Sequence, residues 1–169
     1  MPRSGGAGVR RRRAAPSAPA APAADGLVRC GDLPWFPFLS EGIHVKLCRV
    51  SLATGDMALM IRAAPGAGLA SHYLHGVFVA YTIAGRWRYR DAEWVAGPGD
   101  VVIQPAGSTH ALQAVGEGAA EAFVHVAGAL EFRDESGKTL RIENAETLHG
   151  RYLAHCALHG LACLDVTGG

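Results

Sequence analysis

Short stretches in which apolar and polar residues alternate recur between residues 42 and 132, separated by glycine- and proline-containing turns. The stretch "GIHVKLCRV" places Ile43, Val45 and Leu47 on one face, which is typical of a half-buried β-strand. Further candidate strands lie at 56–64, 77–83, 86–95, 101–104, 110–115 and 121–132. Many short strands with no helix between them predict an all-β antiparallel sandwich or barrel.

One helix is predicted near the end of the chain, over residues 144–159. Asn144 is a suitable N-cap, and Leu148, Tyr152 and Cys156 recur at helical spacing. Gly160 stands where a C′ glycine ends a helix. We therefore expect one domain over residues 27–169, in which this helix packs on the outside of the β-structure.

Residues 1–26 differ from the rest of the chain in composition. They are rich in alanine, proline and arginine, and after Met1 their only large apolar side chain is Val9. Such a segment buries too little apolar surface to offset the entropy of ordering, so we expect a disordered tail. The run of arginines at 10–13 is interpreted as a solvated tail, with a nucleic-acid or targeting patch as the alternative.

The charge distribution limits the class of binding partner, and the cysteine pattern limits the cellular compartment. The first 24 residues carry five positive charges and the whole chain +1, so the remainder is close to −4. That balance argues against nucleic acid as a partner of the folded part. No apolar run is long enough for a membrane span or a secretory signal, and no CxxC pair occurs. We expect a cytoplasmic protein with reduced thiols and no membrane partner.

Two histidines stand where separate strands of a small barrel can direct them inward. His72 precedes the apolar run 77–83, and His110 follows the turn in "GPGDVVIQPAGSTH". A Pro-x-Gly-x-x-His segment after a His-led strand resembles the two motifs of the cupin superfamily. For both histidines the alternative is an ordinary loop residue.

A narrower resemblance extends from about residue 33 to the terminal helix. The stretches "AYTIAGRWRY", "DAEWVAGPGD", "QPAGSTH" and "FVHVAGALEFRDESGKTL" resemble the 2,4′-dihydroxyacetophenone dioxygenase-like group of ChrR-type cupins, which includes acetylacetone-cleaving relatives. This resemblance implies a single cupin jelly-roll barrel. It also implies mononuclear iron(II), bound by histidines and a carboxylate, that cleaves a carbon–carbon bond beside a carbonyl with O2.

The chain departs from the cupin pattern at the first metal motif. That motif is His-x-His followed, after four residues, by Glu or His. His72 matches its first position, but Leu74 and Val79 occupy the second and third. Neither Leu nor Val can bind a metal, so only His72 and His110 remain of four ligand positions.

Two nearby residues are candidate replacements. If Ala84 and Gly85 form a hairpin turn, residue 79 faces residue 91, and Asp91 points to the side of the missing ligand. The dioxygenase-like relatives often carry a carboxylate there. His75 is the other candidate, provided that a bulge at Gly76 turns it inward. Two histidines and one carboxylate form a facial triad suited to iron(II).

Tyr81 shares a strand face with residue 79 and is a candidate catalytic residue in the cavity, with core packing as the alternative. The first hypothesis is an iron(II) dioxygenase acting on a small hydroxyketone or diketone with O2. Zinc, or no metal at all, is the alternative for the site. The second hypothesis is a cupin without catalysis that binds a small molecule or serves regulation. A homodimer is expected by analogy with other cupins.

Overall fold

The computed structural model describes residues 26–167. Within this range twelve strands precede one helix. The strands are β1 Phe36–Pro37, β2 Ile43–Val50, β3 Asp56–Ala63, β4 His72–Leu74, β5 Phe78–Ala84, β6 Arg86–Tyr89, β7 Val101–Gln104, β8 Thr109–His110, β9 Leu112–Val115, β10 Ala120–Ala127, β11 Leu130–Arg133 and β12 Thr139–Glu143. The helix is α1, Ala145–His159.

The strands form three antiparallel sheets arranged as a jelly-roll. The large sheet has the order β1-β2-β3-β10-β5-β7, the second has the order β12-β11-β4-β8, and β6 pairs with β9. Alternation along the strands buries one face: Ile43, Val45 and Leu47 are fully buried, as the sequence pattern predicts. The predicted all-β antiparallel fold with one terminal helix is therefore confirmed.

Helix α1 begins and ends at the predicted residues. The Asn144 side chain accepts a hydrogen bond from the Thr147 backbone N–H at 3.0 Å, and Thr147 Oγ1 accepts one from the Asn144 N–H. Gly160 ends the helix with a φ of 62°, in the left-handed region that glycine tolerates. Among residues 26–167, no helix combines the length and apolar character that crossing a membrane requires.

The prediction that Ala84 and Gly85 form a hairpin turn is wrong. β5 pairs with β10 and β7, whereas β6 pairs with β9 in another sheet. Gly85 therefore carries the chain from one sheet to the next instead of reversing it. A Cβ at Gly85 would overlap the Ala119 carbonyl oxygen, so this crossing needs glycine.

The predicted domain of 27–169 extends beyond the described residues by two positions, and the predicted tail lies outside them except for Gly26. Two long predicted strands are each broken in the structure: 110–115 divides into β8 and β9, and 121–132 into β10 and β11.

Candidate metal centre

His72 and His110 face each other across two neighbouring strands. They are direct register partners of the β4–β8 pair, so their side chains leave the sheet on the same side. His72 is 6% exposed and lines an internal cavity. The structure thus brings together the two histidines that the sequence motifs single out.

The tautomer of His72 is set by a backbone contact. Its Nδ1 lies 2.8 Å from the Ala70 carbonyl oxygen, which can only accept a hydrogen bond, so we assign the ring proton to Nδ1. Nε2 then keeps a free lone pair. Metal-binding histidines are commonly oriented in this way, by a carbonyl on the nitrogen that does not bind the metal.

His110 is oriented by an aromatic ring. It stacks on Tyr89 with ring centroids 4.1 Å apart and planes 17° from parallel. Its Nε2 is buried and has no hydrogen-bond partner in the described part of the chain. A buried nitrogen without a partner is costly unless something else binds it. Nε2 of His110 is therefore a buried polar atom that the described part of the chain leaves without a partner.

Burial shifts both imidazoles toward the neutral form. Burial lowers the pKa of His72, and proximity to His110 lowers it further, while the bond to Ala70 works in the opposite direction. Burial also lowers the pKa of His110. The neutral imidazole is the form that binds a metal ion.

The cavity beside His72 has a volume of about 40 Å³ and mostly apolar walls. Its lining residues include Tyr89 and Glu143. Glu143 is 2% exposed and accepts hydrogen bonds from Arg151 and Thr147, so its charge is compensated. Sequence reasoning missed Tyr89 and Glu143 because a Tyr after "RWR" and a Glu before the helix cap carry no motif.

Leu74 and Val79, which replace two ligands of the cupin motif, differ in the direction of their side chains. Leu74 is 1% exposed and lies on the same face of β4 as His72, so it occupies an inward position. On β5, Phe78 and Ala80 are buried, and Val79 points to the opposite face. The interior beside the histidines is thus closed by Leu74 and Phe78.

Tyr81 does not line the cavity, so that prediction is wrong. It lies on the outer face of β5 with Val79 and is 48% exposed. The error follows from the register: residues 78, 80 and 82 face inward, not 79 and 81.

Asp91 does not lie opposite residue 79, because β5 does not pair with β6, so this predicted position is also wrong. Asp91 lies in a turn that follows β6, with its side chain exposed. The preceding residue, Arg90, donates its backbone N–H to the Ala111 carbonyl at 2.8 Å. This bond places the turn beside the segment that follows His110, at the rim of the site.

His75 lies away from the two buried histidines. Its Nε2 is 2.8 Å from Glu131 Oε2, in an ion cluster with Arg133 and Thr139. The expected bulge at Gly76 does not turn it inward. Gly76 is needed for close approach instead, because a Cβ there would overlap the Ala127 carbonyl oxygen.

Within residues 26–167, no group of three or more His, Cys, Asp or Glu side chains is arranged to hold a metal ion. His72 and His110 fit a metal in the chemistry of their donor atoms, and the observations that support this are the Nδ1 contact of His72 and the unpartnered Nε2 of His110. These two side chains provide two ligands and not the three of a facial triad.

The sequence profile of the ChrR Cupin-like domain matches residues 23–131, more than half of the chain. The chain belongs to the ChrR cupin-like family. This ChrR-like cupin is 32% identical to an RmlC-like cupin protein of Ralstonia eutropha JMP134, covering 84% of this chain and 93% of that one with a TM-score of 0.79. No curated protein matches the chain.

Two more distant structures share the fold of this ChrR-like cupin. An acetylacetone dioxygenase from Acinetobacter johnsonii is 18% identical, with 91% of this chain and 99% of that chain covered and a TM-score of 0.67. Anti-sigma ChrR in complex with Rhodobacter sphaeroides SigE is 17% identical, with 58% and 50% covered and a TM-score of 0.50. The fold therefore occurs in both an enzyme and a regulator.

Proposed function

We propose that this ChrR-like cupin binds a divalent metal ion, preferentially iron(II), at His72 and His110. We further propose that it cleaves a carbon–carbon bond beside a carbonyl in a small hydroxyketone or diketone with O2. The observation that carries this proposal is the cross-strand pair of imidazoles, with Nε2 of His110 buried and without a hydrogen-bond partner. The acetylacetone dioxygenase with the same fold supports the substrate class.

A bound metal would supply open coordination positions for a chelating carbonyl substrate and for O2. The roles of the chain are orientation and exclusion of water. The Ala70 carbonyl fixes the ring of His72, and Tyr89 fixes that of His110. Apolar cavity walls such as Leu69 and Leu112 keep water away from His72.

Asp91 is our candidate for the third ligand. Its turn lies at the rim beside the segment after His110, and an exposed side chain can change rotamer at little cost. Its carboxylate would supply the negative charge and oxygen donor that complete a facial triad.

Metal content tests the site. The protein, purified without chelator or a histidine tag, should contain iron, and H72Q and H110Q should each lose most of it. H75Q is the matched control and should keep its metal, because His75 binds Glu131.

The same measurement tests the third ligand. D91N should lose metal, whereas E93Q, which changes an exposed carboxylate two residues away, should not. Circular dichroism confirms folding of each variant. Metal retained in H72Q and H110Q would contradict the site.

Catalysis needs a separate measurement. We expect O2 uptake by the iron-loaded protein with acetylacetone or 2,4′-dihydroxyacetophenone, and none by H110Q. Metal binding without O2 uptake on either compound would leave the metal site intact and reject the dioxygenase.

A second function is favoured by two specific features. Leu74 fills a ligand position, and the cavity of about 40 Å³ is far smaller than a usual ligand pocket of about 300 Å³ or more. Both features disfavour catalysis and suit a cupin that acts in regulation, the role class of anti-sigma ChrR. Small-molecule binding, the homodimer and the cytoplasmic location all stay predictions.

A further inference from the structure

Cys30 and Cys48 belong to separate segments of the chain and lie next to each other where the segment before β1 contacts β2. Cys30 begins a single 3-10 turn, Cys30–Asp32, and Cys48 lies on β2. Their sulfur atoms are 3.4 Å apart. The β2–β3 register shifts between Leu47 and Arg49, so Cys48 is the bulged residue that reaches toward Cys30. A disulfide bond measures about 2.0 Å, so small side-chain rotations would close the gap.

The fold holds this contact in place. Lys46 Nζ donates a hydrogen bond to the Cys30 carbonyl oxygen at 2.7 Å and lies over the Trp35 ring, 5.2 Å from its centroid. Lys46 and Cys48 are two residues apart on β2, so the lysine ties the 3-10 turn to the strand that carries the second cysteine. These contacts of the fold therefore hold the two thiols next to each other, and no attraction between the two sulfur atoms is required.

The two thiols differ in their access to solvent. Cys48 is 4% exposed, and burial, followed by its hydrogen bond with Cys30, raises the pKa of Cys48 to about 12. Cys30 is only partly buried, so a small oxidant in solution reaches it first. The charge of Lys46 opposes this rise in the pKa of Cys48.

We propose that Cys30 and Cys48 form a reversible intramolecular disulfide when the protein meets hydrogen peroxide. The Cys30 thiolate attacks one peroxide oxygen, the O–O bond breaks, and the departing hydroxide takes up a proton as water. The Cys48 sulfur then attacks the resulting sulfenic sulfur of Cys30, the S–O bond breaks, and the oxygen leaves as water with the Cys48 proton. Two thiols are oxidised and one peroxide is reduced to two waters.

The disulfide would fasten the segment before β1 onto β2 and would close the loop from residue 30 to residue 48 in the unfolded chain. Closing such a loop restricts the unfolded state, so the oxidised protein should melt at a higher temperature than the reduced one. A dithiol reductant should reverse the change. This inference does not depend on the metal site.

The test uses the folded full-length chain carrying C163S, since Cys163 is the exposed thiol in the described residues. The protein is treated with about one equivalent of hydrogen peroxide, its free thiols are blocked with a maleimide, and it is digested with trypsin without reductant. Cleavage after Arg29, Lys46 and Arg49 puts the two cysteines on separate peptides, 30–46 and 47–49. We expect these peptides to be joined, with a mass about 2 Da below their sum.

Two variants sharpen the outcome. C48A, which keeps an apolar side chain at the buried position, should stop at a sulfenic acid on Cys30 that dimedone traps. C156A should still form the 30–48 link. The proposal is overturned if Cys30 and Cys48 are both recovered as maleimide adducts, if Cys30 in the parent chain proceeds to sulfinic acid while Cys48 stays free, or if the linked peptides contain Cys156.

Discussion

Histidine takes opposite roles at two positions only three residues apart. His72 is buried and points into the jelly-roll, whereas His75 points outward to the Glu131 carboxylate. The difference follows from the alternation of side chains along an extended chain, in which residues an odd number apart face opposite ways. The same rule puts Leu74 beside His72 and Tyr73 on the other face. Single substitutions on β4 can therefore test which face carries the metal site.

We predict that L74H binds iron(II) more tightly than the wild type by about tenfold or more, since it adds a third inward imidazole. Y81H is the control, because Tyr81 lies on the outer face of β5, pairs with Phe123 and Val101, and should leave affinity unchanged when replaced. Anaerobic iron titration measures both variants. Equal affinities for L74H and the wild type would mean that the metal does not bind beside His72.

We predict a pH-dependent role for Glu131. Hydrogen bonds from Arg133 first, then Thr139 and His75, hold the pKa of this carboxyl well below its usual range. A carboxyl with a lowered folded-state pKa stabilises the fold above its unfolded pKa of about 4.3, and this stabilisation is lost as pH falls below that value. E131Q should therefore melt several degrees lower than the wild type at pH 7, with a difference that shrinks between pH 5 and pH 3. A difference independent of pH would show that ionisation of Glu131 is irrelevant.

At the scale of elements, glycines mark the places where strands change sheets. Gly76 joins β4 of one sheet to β5 of another and passes directly against the end of β10. The Ala127 carbonyl blocks any Cβ at Gly76, and Ala127 is held by its own N–H bond to the Val77 carbonyl at 2.9 Å. The connection cannot move aside without breaking a backbone hydrogen bond.

We predict that G76A lowers the free energy of unfolding by about 3 kcal/mol, because either the strand or the connection must shift. G118A is the control: Gly118 lies in an open turn where an added Cβ would meet no atom within 4 Å, and this variant should stay within about 0.5 kcal/mol of the wild type. Urea denaturation followed by tryptophan fluorescence gives both values. Similar stabilities for the two variants would contradict the close approach at Gly76.

At the scale of the molecule, the helix and the last described residues close the jelly-roll. Tyr152 is fully buried, and its hydroxyl bonds both the N–H and the carbonyl of Leu164. The Val50 N–H donates to the Val166 carbonyl at 2.7 Å, which fastens the C-terminal segment to β2. The C-terminal part of the chain is thus integral to the fold.

We predict that residues 1–26, in contrast, are not needed for a stable fold. A shortened chain that begins at Leu27 should melt within a few degrees of the full chain, because residues 1–26 offer almost no apolar surface to bury. Differential scanning calorimetry of both chains at equal concentration is the measurement. A larger drop on truncation would assign the tail a structural role.

Local patterns by themselves determined most of the strands, the capped helix and the pair His72 and His110, because alternation, caps and motif spacing are properties of a few adjacent residues. Only the tertiary structure decided which strands pair. It placed β5 between β10 and β7, which turned Tyr81 outward and removed the reason to place Asp91 opposite residue 79. The physical reason is that a glycine turn such as Ala84-Gly85 can equally reverse a chain within one sheet or pass it to the next. The choice depends on the burial of distant apolar faces, which no short stretch of sequence contains.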